Sequence, residues 1–259
     1  MDLQLNDKLA VVSGSTAGIG FAIAEALAKE GARVVVNGRT QSAVTEAVAK
    51  IGHGALGFAG DLSDAAKAAE LVRKFPDVEI LVNNLGIFEP KSFEEIPDED
   101  WRRFFDVNVL SGVRLARAYL PGMRRRDWGR IIFISSESGI QIPAEMIHYG
   151  MTKTAQISVS RGIAETLAGT RITCNSVLPG PTQSRGVTEF VDQMAQSKNM
   201  SVDQVQKEFF QHVRPTSLLK RFITPEEVGA FCAFVASPLA AATNGAALRV
   251  DGGVVKSAF

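Results

Sequence analysis

Short apolar runs of strand length alternate with longer stretches of helical periodicity along most of the 259-residue chain. Seven runs read as buried strands, at 8–13, 33–37, 55–59, 79–83, 131–135, 171–177 and 246–250. Helices are expected between them at about 19–30, 41–51, 64–75, 98–120, 147–167 and 225–236. The stop signals fit. Gly31 closes the first helix, Pro97 precedes the fourth and Pro121 ends it. Thr224-Pro225-Glu226-Glu227 opens the last with an N-cap, a first-turn proline and a capping glutamate. Strands alternating with helices imply an α/β chain, a parallel sheet covered on both faces by right-handed crossovers.

The alternation lapses once, at 182–217, where polar and apolar residues mix and short helices are expected near 187–195 and 202–211. A long irregular stretch in a compact domain is usually functional. It follows the sixth strand, so it should lie over the carboxyl ends of the strands, where ligands bind in open α/β sheets. Phe190, Met194, Phe209, Phe210 and Val213 give it apolar faces, and Gly180 and Gly186 are candidate hinges. It is expected to be a lid over substrate, with Ser138, Ile142 and Met146 on the opposite wall. That mixture favours a moderately hydrophobic substrate over a free sugar. Arg185 and Arg214 leave room for an anionic group, although surface arginines are usually just solvated.

Composition narrows the classes. With 28 basic and 28 acidic residues, no net charge points to nucleic acid or to an acidic membrane. No apolar run is long enough to span a bilayer, and Met1-Asp-Leu-Gln-Leu-Asn is too polar for a signal peptide. Cys174 and Cys232, with His53, His148 and His212 scattered, offer neither a disulfide framework nor metal-ligand spacing. A cytoplasmic setting is expected. Arg124-Arg125-Arg126 suits the negative end of its helix, and Cys174 should be core.

Two stretches carry chemistry. The first strand runs into Ser13-Gly14-Ser15-Thr16-Ala17-Gly18-Ile19-Gly20 at a helix start, where free N–H groups and the helix dipole favour phosphate. The fifth strand ends at Ser135-Ser136, and Tyr149 and Lys153 follow at i and i+4 on one helix face. A carbonyl reduced by hydride must also receive a proton, and a phenol near pKa ~10 releases one poorly at neutral pH. A neighbouring ammonium would favour the phenolate, and Ser136 could hydrogen-bond the same carbonyl oxygen. His148, one helical position from Tyr149, points about 100° away and reads as packing.

Together these motifs resemble the short-chain dehydrogenase/reductase family in its single-domain branch, from Lys8 to Gly253. The glycine loop, Asn83-Asn84-Leu85-Gly86, Asn108, Ser136, Tyr149-x-x-x-Lys153, Pro179-Gly180 and Asp251-Gly252-Gly253 fall in the family's order. Ser13 stands where the family has Thr, and Leu85 where it has the smaller Ala. The resemblance implies a Rossmann-type doubly wound sheet of about seven strands in one domain over 1–259, with the lid at about 182–217. It also implies an enzyme that moves hydride between a nicotinamide cofactor and a small carbonyl or secondary alcohol. Tyr149 would be the acid or base, Lys153 would lower its pKa and meet the ribose, Ser136 would orient the carbonyl, and Asn108 would hold a water on a proton path. Gly14, Ser15, Thr16, Gly18, Ile19, Gly20, Asp61, Leu62, Asn83, Gly86, Pro179, Gly180 and Thr182 would contact cofactor. Without the resemblance, Asp61 reads equally as a turn residue and Asn108 as a tolerated helix polar residue. A homodimer or homotetramer through helices 98–120 and 147–167 is implied.

NAD specificity needs an acidic residue after the second strand. Gly38 and Arg39 stand there, so Arg39, with Thr40, could pair a 2′-phosphate. NADP(H) is therefore the expected cofactor, with NAD(H) the alternative. The competing activities are a 3-oxoacyl thioester reductase and a polyol or sugar dehydrogenase. The non-enzymatic alternative is a dinucleotide-sensing regulator.

Overall fold

The computed structural model describes residues 1–183, 187, 195, 197 and 200–258. Its seven strands are β1 (Leu9–Val12), β2 (Arg33–Gly38), β3 (Leu56–Ala59), β4 (Ile80–Asn83), β5 (Gly129–Ile134), β6 (Ile172–Pro179) and β7 (Ala247–Val250). They form one sheet in the order β3-β2-β1-β4-β5-β6-β7, and every pairing is parallel. The sheet is thus doubly wound, with its switch point between β1 and β4, where a ligand crevice opens at the carboxyl ends.

Strand alternation divides the core in two. Ala10, Val12, Val34, Val36, Ile80, Val82, Ile132 and Ile134 face one layer with α1 (Gly18–Lys29) and the helix at Pro225–Ala236. Val11, Val35, Leu81, Ile131 and Phe133 face the other. There they meet α3 (Ala65–Lys74), α5 (Ser111–Arg126) and α6 (Ile147–Glu165). The remaining helices are α2 (Gln41–Ile51), α4 (Asp98–Phe105), α7 (Val202–Glu208) and α8, the one at Pro225–Ala236. Among the described residues no helix is long and apolar enough to cross a membrane.

The expected helix at 98–120 is a composite. After α4 the chain makes a π-helical turn at Asp106–Leu110 before α5 begins. Pro121 does not end it; α5 continues to Arg126 and stops at Asp127, in the left-handed region at φ 49°. A proline inside a helix removes one backbone hydrogen bond at a cost of about 3 kcal/mol. The turns beyond it are anchored. Met123 is fully buried, Arg126 donates to the Val78 carbonyl at 2.7 Å and Arg124 to that of Thr166 at 3.0 Å. Two of the three arginines at the helix end, Arg124 and Arg126, therefore tie it down.

The second half of the irregular segment also differs. α7 ends at Glu208 and passes into a π-helical turn at Phe209–Val213. The expected helix at 187–195, with Arg185, Gly186, Phe190 and Met194, falls mostly outside the described residues.

α1 and α8 pack closely because Gly229 lacks a side chain: a Cβ there would lie 2.6 Å from the Ala22 carbonyl oxygen. Gly229→Ala should push the helices apart and lower unfolding stability by about 1–3 kcal/mol. Thr224, whose hydroxyl caps α8 reciprocally with Glu227, should cost about 1 kcal/mol on replacement by Ala. Urea midpoints check both; an unshifted midpoint for Gly229→Ala would contradict the packing.

Candidate active site

The loop after β1 is held rigid by its neighbours. Gly14 donates to the Asn37 side chain at 3.0 Å, and Ser15 donates to the Val12 carbonyl at 2.6 Å. The Asn84 amide donates to the carbonyls of Ser13 and Gly14, both at 3.0 Å. Gly14 and Gly18 have φ of +62° and +57°, which glycine adopts without strain. A Cβ on Gly20 would lie 2.4 Å from the Gly14 carbonyl oxygen, so only glycine lets loop and helix meet. Ala17, the N-cap of α1, has no side-chain acceptor, and the first N–H groups of the helix stay available for an anion. The loop fits a dinucleotide's phosphates. Leu85 fits as well: its Cδ2 rests 3.2 Å from where a Cβ on Gly14 would be, against the loop's outer side.

The β2 end has no room for an acidic side chain at Gly38, where a Cβ would come within 2.4 Å of Thr16 Cγ2. Arg39 is exposed beside it. The Thr40 hydroxyl caps α2, accepting from Ala43 N–H at 3.4 Å. Asp61 accepts from the Ser63 N–H and hydroxyl at 2.9 and 2.6 Å, so it is a turn residue, with its carboxylate exposed and Leu62 buried in the core behind it. Asn83 is buried, and its amide has no hydrogen-bond partner among the described residues.

The ends of β5 and α6 bring the second motif together. Lys153 Nζ donates to the Ile134 carbonyl at 2.9 Å, and the Ser135 hydroxyl donates to the Lys153 carbonyl at 2.7 Å. The ammonium lies 5.6 Å from the centroid of the Tyr149 ring, and the Phe88 ring meets the Tyr149 ring edge to face at 6.3 Å. Gly86 is beside it; a Cβ there would stand 3.4 Å from Nζ. Burial pushes Lys153 down to about 7. Burial also dominates at Tyr149 and pushes the phenol up; a hydrogen bond with Ser136 acts the other way, Glu137 raises it further and Arg214 lowers it. Desolvation of the half-buried phenol is thus the largest influence on its acidity, and it opposes the effect expected of Lys153.

Asn108 lies in the π-helical turn and is buried, not partly exposed. Its side chain accepts from Ile87 N–H at 2.8 Å and donates to the Ile87 carbonyl and the Thr152 hydroxyl at 3.0 and 2.9 Å. Its own carbonyl accepts from Gln156 at 2.7 Å. π-Helical turns often occur at functional sites. This one places Asn108 between the Gly86–Ile87 backbone and α6. His148 is packing, as its position suggests: its ring lies 4.0 Å from that of Phe104, and neither nitrogen has a hydrogen-bond partner among the described residues.

A cavity of about 680 Å³ opens over Ser136 and Tyr149, reaching Ile19, Gly180, Thr182 and Phe209. Val213, expected on its wall, lines it, as do Ser138 and Met146; Ile142 does not. Thr182 is buried and donates to the Gly180 carbonyl at 2.9 Å. Sequence reasoning missed one feature. Arg214 is not solvated: it pairs with buried Glu137 at 3.2 Å and with Glu145 at 3.4 Å. Glu137 in turn accepts from the Ser136 hydroxyl at 2.5 Å. A carboxylate set among three serines at a strand end was the available signal. Among the described residues no cluster of ligating side chains could hold a metal ion.

A switch-point crevice, a phosphate-fitting glycine loop, and a phenol and hydroxyl lining one cavity, with an ammonium beside the phenol, define an oxidoreductase that uses a nicotinamide dinucleotide. Comparison with known proteins agrees. The sequence profile described as enoyl-(acyl carrier protein) reductase matches residues 14–255. The chain is 47% identical to an uncharacterised oxidoreductase, YvaG, of Bacillus subtilis (strain 168), with 100% of both chains covered. It is 36% identical to a D-beta-hydroxybutyrate dehydrogenase of Cupriavidus necator, over 97% of this chain and 99% of that one. Its fold superposes on L-sorbose reductase from Gluconobacter frateurii, solved with NADPH and L-sorbose, with a TM-score of 0.94 and 32% identity over 99% and 100% of the two chains. The chain belongs to the short-chain dehydrogenase/reductase family.

The depressed pKa of Lys153 has a consequence for stability. The folded protein holds fewer protons than the unfolded chain between about pH 7 and the ordinary 10.5. The cost of burying the ammonium is therefore full below about pH 7 and fades as pH rises toward 10.5. Lys153→Met should raise the melting temperature of the free protein at pH 7, and the gap from wild type should shrink as pH rises. Calorimetry at several pH values checks this; a variant less stable at pH 7 would contradict it.

Proposed function

We propose that the protein is an NADP(H)-preferring reductase or dehydrogenase acting on a carbonyl or secondary alcohol, with Tyr149 as the proton donor or acceptor. The observation that carries this reading is that Tyr149 and Ser136 line one cavity beside the glycine loop, with the Lys153 ammonium next to the Tyr149 ring. Gly14, Ser15, Thr16, Gly18, Ile19 and Gly20 would hold the pyrophosphate. Asp61 and Leu62 would meet the adenine. Asn83, Gly86, Lys153, Pro179, Gly180 and Thr182 would surround the nicotinamide and its ribose. The bound cofactor supplies or accepts the hydride. Ser136 orients the carbonyl oxygen, Tyr149 gives it the proton, and Lys153 steadies the phenol's proton exchange. Asn108 fixes the Gly86–Ile87 backbone against α6 and supports a water path to Lys153.

The regulator alternative is disfavoured because sensing needs no such trio, and here all three are in place. Buried, unpaired Cys174 and Cys232 suit a cytoplasmic protein. We read the chain as a single domain. Phe105, 38% exposed on α4, supports assembly into dimers or tetramers through α4, α5 and α6.

Tyr149→Phe should keep cofactor binding and reduce turnover by about 10²–10⁴-fold. Steady-state NADPH oxidation together with cofactor fluorescence tests this; near-wild-type turnover with rate-limiting chemistry would remove Tyr149 from the role.

Arg39 should set cofactor choice. A guanidinium on the 2′-phosphate is worth about 1.5–3 kcal/mol, or roughly 10–100-fold in kcat/KM for NADPH over NADH. Arg39→Ala should lose most of that preference. Equal values in wild type, unchanged by the substitution, would contradict it.

A further inference from the structure

The carboxylate of Glu137 is 5% exposed, directly behind Ser136 on the cavity wall. Its Oε2 accepts from the Ser136 hydroxyl at 2.5 Å, from Ser138 N–H at 2.5 Å and from the Ser138 hydroxyl at 2.8 Å. Its Oε1 accepts from Arg214 Nε at 3.2 Å. These contacts fix the carboxylate. They also give the single Ser136 proton two claimants, because orienting a substrate carbonyl requires the same proton to turn away from Glu137. A buried carboxylate then loses a close donor, which is unfavourable unless another donor replaces it.

A substrate hydroxyl on the carbon next to the carbonyl would stand where it could replace that donor. The two adjacent substrate oxygens would match the adjacent pair Ser136 and Glu137, one accepting and the other donating. We propose that Glu137, held by Arg214, is a specificity-determining residue that selects α-hydroxy ketones, and in the reverse direction vicinal diols. The inference rests on the oxidoreductase reading above and names its substrate class.

Among the described residues Glu137 and Glu145 line the cavity beside Arg214, which pairs with both, and Glu208 and His212 are also on the wall. The apolar walls formed by Phe88, Val205 and Phe209 accept the carbon skeleton.

The test compares NADPH-dependent kcat/KM for hydroxyacetone, methoxyacetone and 2-butanone in the wild-type enzyme. Methoxyacetone keeps the electron-withdrawing oxygen but cannot donate. A hydrogen bond to a charged acceptor corresponds to a preference of about 10–100-fold for hydroxyacetone over methoxyacetone. Glu137→Met, with NADPH binding by fluorescence as the check on folding, should bring the ratio close to one. Glu137→Met/Arg214→Met removes both charges, leaves neither unpaired, and should do the same. A wild-type enzyme that reduces hydroxyacetone and methoxyacetone equally well overturns the proposal. So does a preference that survives in the variants that bind NADPH. No NADPH oxidation with any of the three ketones, or with a wider carbonyl panel, would overturn the oxidoreductase reading itself and this inference with it.

Discussion

A desolvated ammonium at the carboxyl edge of the sheet constrains most of what surrounds it. Lys153 is 4% exposed, and the Ile134 carbonyl at the end of β5 is its close partner. Burying a charge is costly unless it is hydrogen-bonded, so the backbone must be brought to it. The Ser135 hydroxyl pins the Lys153 carbonyl to the strand end. Gly139 lets the next turn approach: a Cβ there would be 2.9 Å from the Lys153 backbone. The π-helical turn at Asp106–Leu110 presents Asn108 to Thr152, one residue before the lysine. Strand, turn and two helices are thus fitted together around one side chain. The phenol that shares the cleft inherits its low-dielectric surroundings.

The glycine loop is built on a different principle. Its shape comes from asparagines and serines at the ends of β1, β2 and β4 whose side chains hydrogen-bond the loop and strand backbones, leaving the first N–H groups of α1 without side-chain caps. Rigidity comes from the scaffold and the binding capacity from what the scaffold leaves unpaired. Leu85 joins this arrangement without displacing it, since its side chain lies along the loop beside Gly14.

Much of the fold was legible because the sheet is buried on both faces, and buried parallel strands read as apolar runs between turn signals. Seven strands and five of the six expected helices follow from that pattern to within two residues. The misreadings share a cause. Pro121 and the break at Asp106–Leu110 are decided by tertiary anchors, Met123, Arg124 and Arg126 in one case and Asn108 in the other, that local propensity does not encode. At the site, the meeting of Tyr149, Lys153 and Ser136 at the ends of β5 and α6 was legible from spacing, and the exposed position of Arg39 from its place after β2. The ion pair of Glu137 with Arg214 was not, because its partners are 77 residues apart and each alone reads as an ordinary charge. Desolvation of the half-buried phenol was equally invisible: spacing brings an ammonium near it but says nothing of the solvent it loses.

The central claim is that this chain moves hydride to a carbonyl rather than only sensing a dinucleotide. The direct measurement is label transfer: incubate the enzyme with NADPH deuterated at the nicotinamide C4 and a reducible ketone, and look for the isotope in the product by mass spectrometry. The account predicts deuterium on the new carbinol carbon, from one face of the cofactor only. Tight NADPH binding with no deuterium in any product across a broad ketone and aldehyde panel would contradict it.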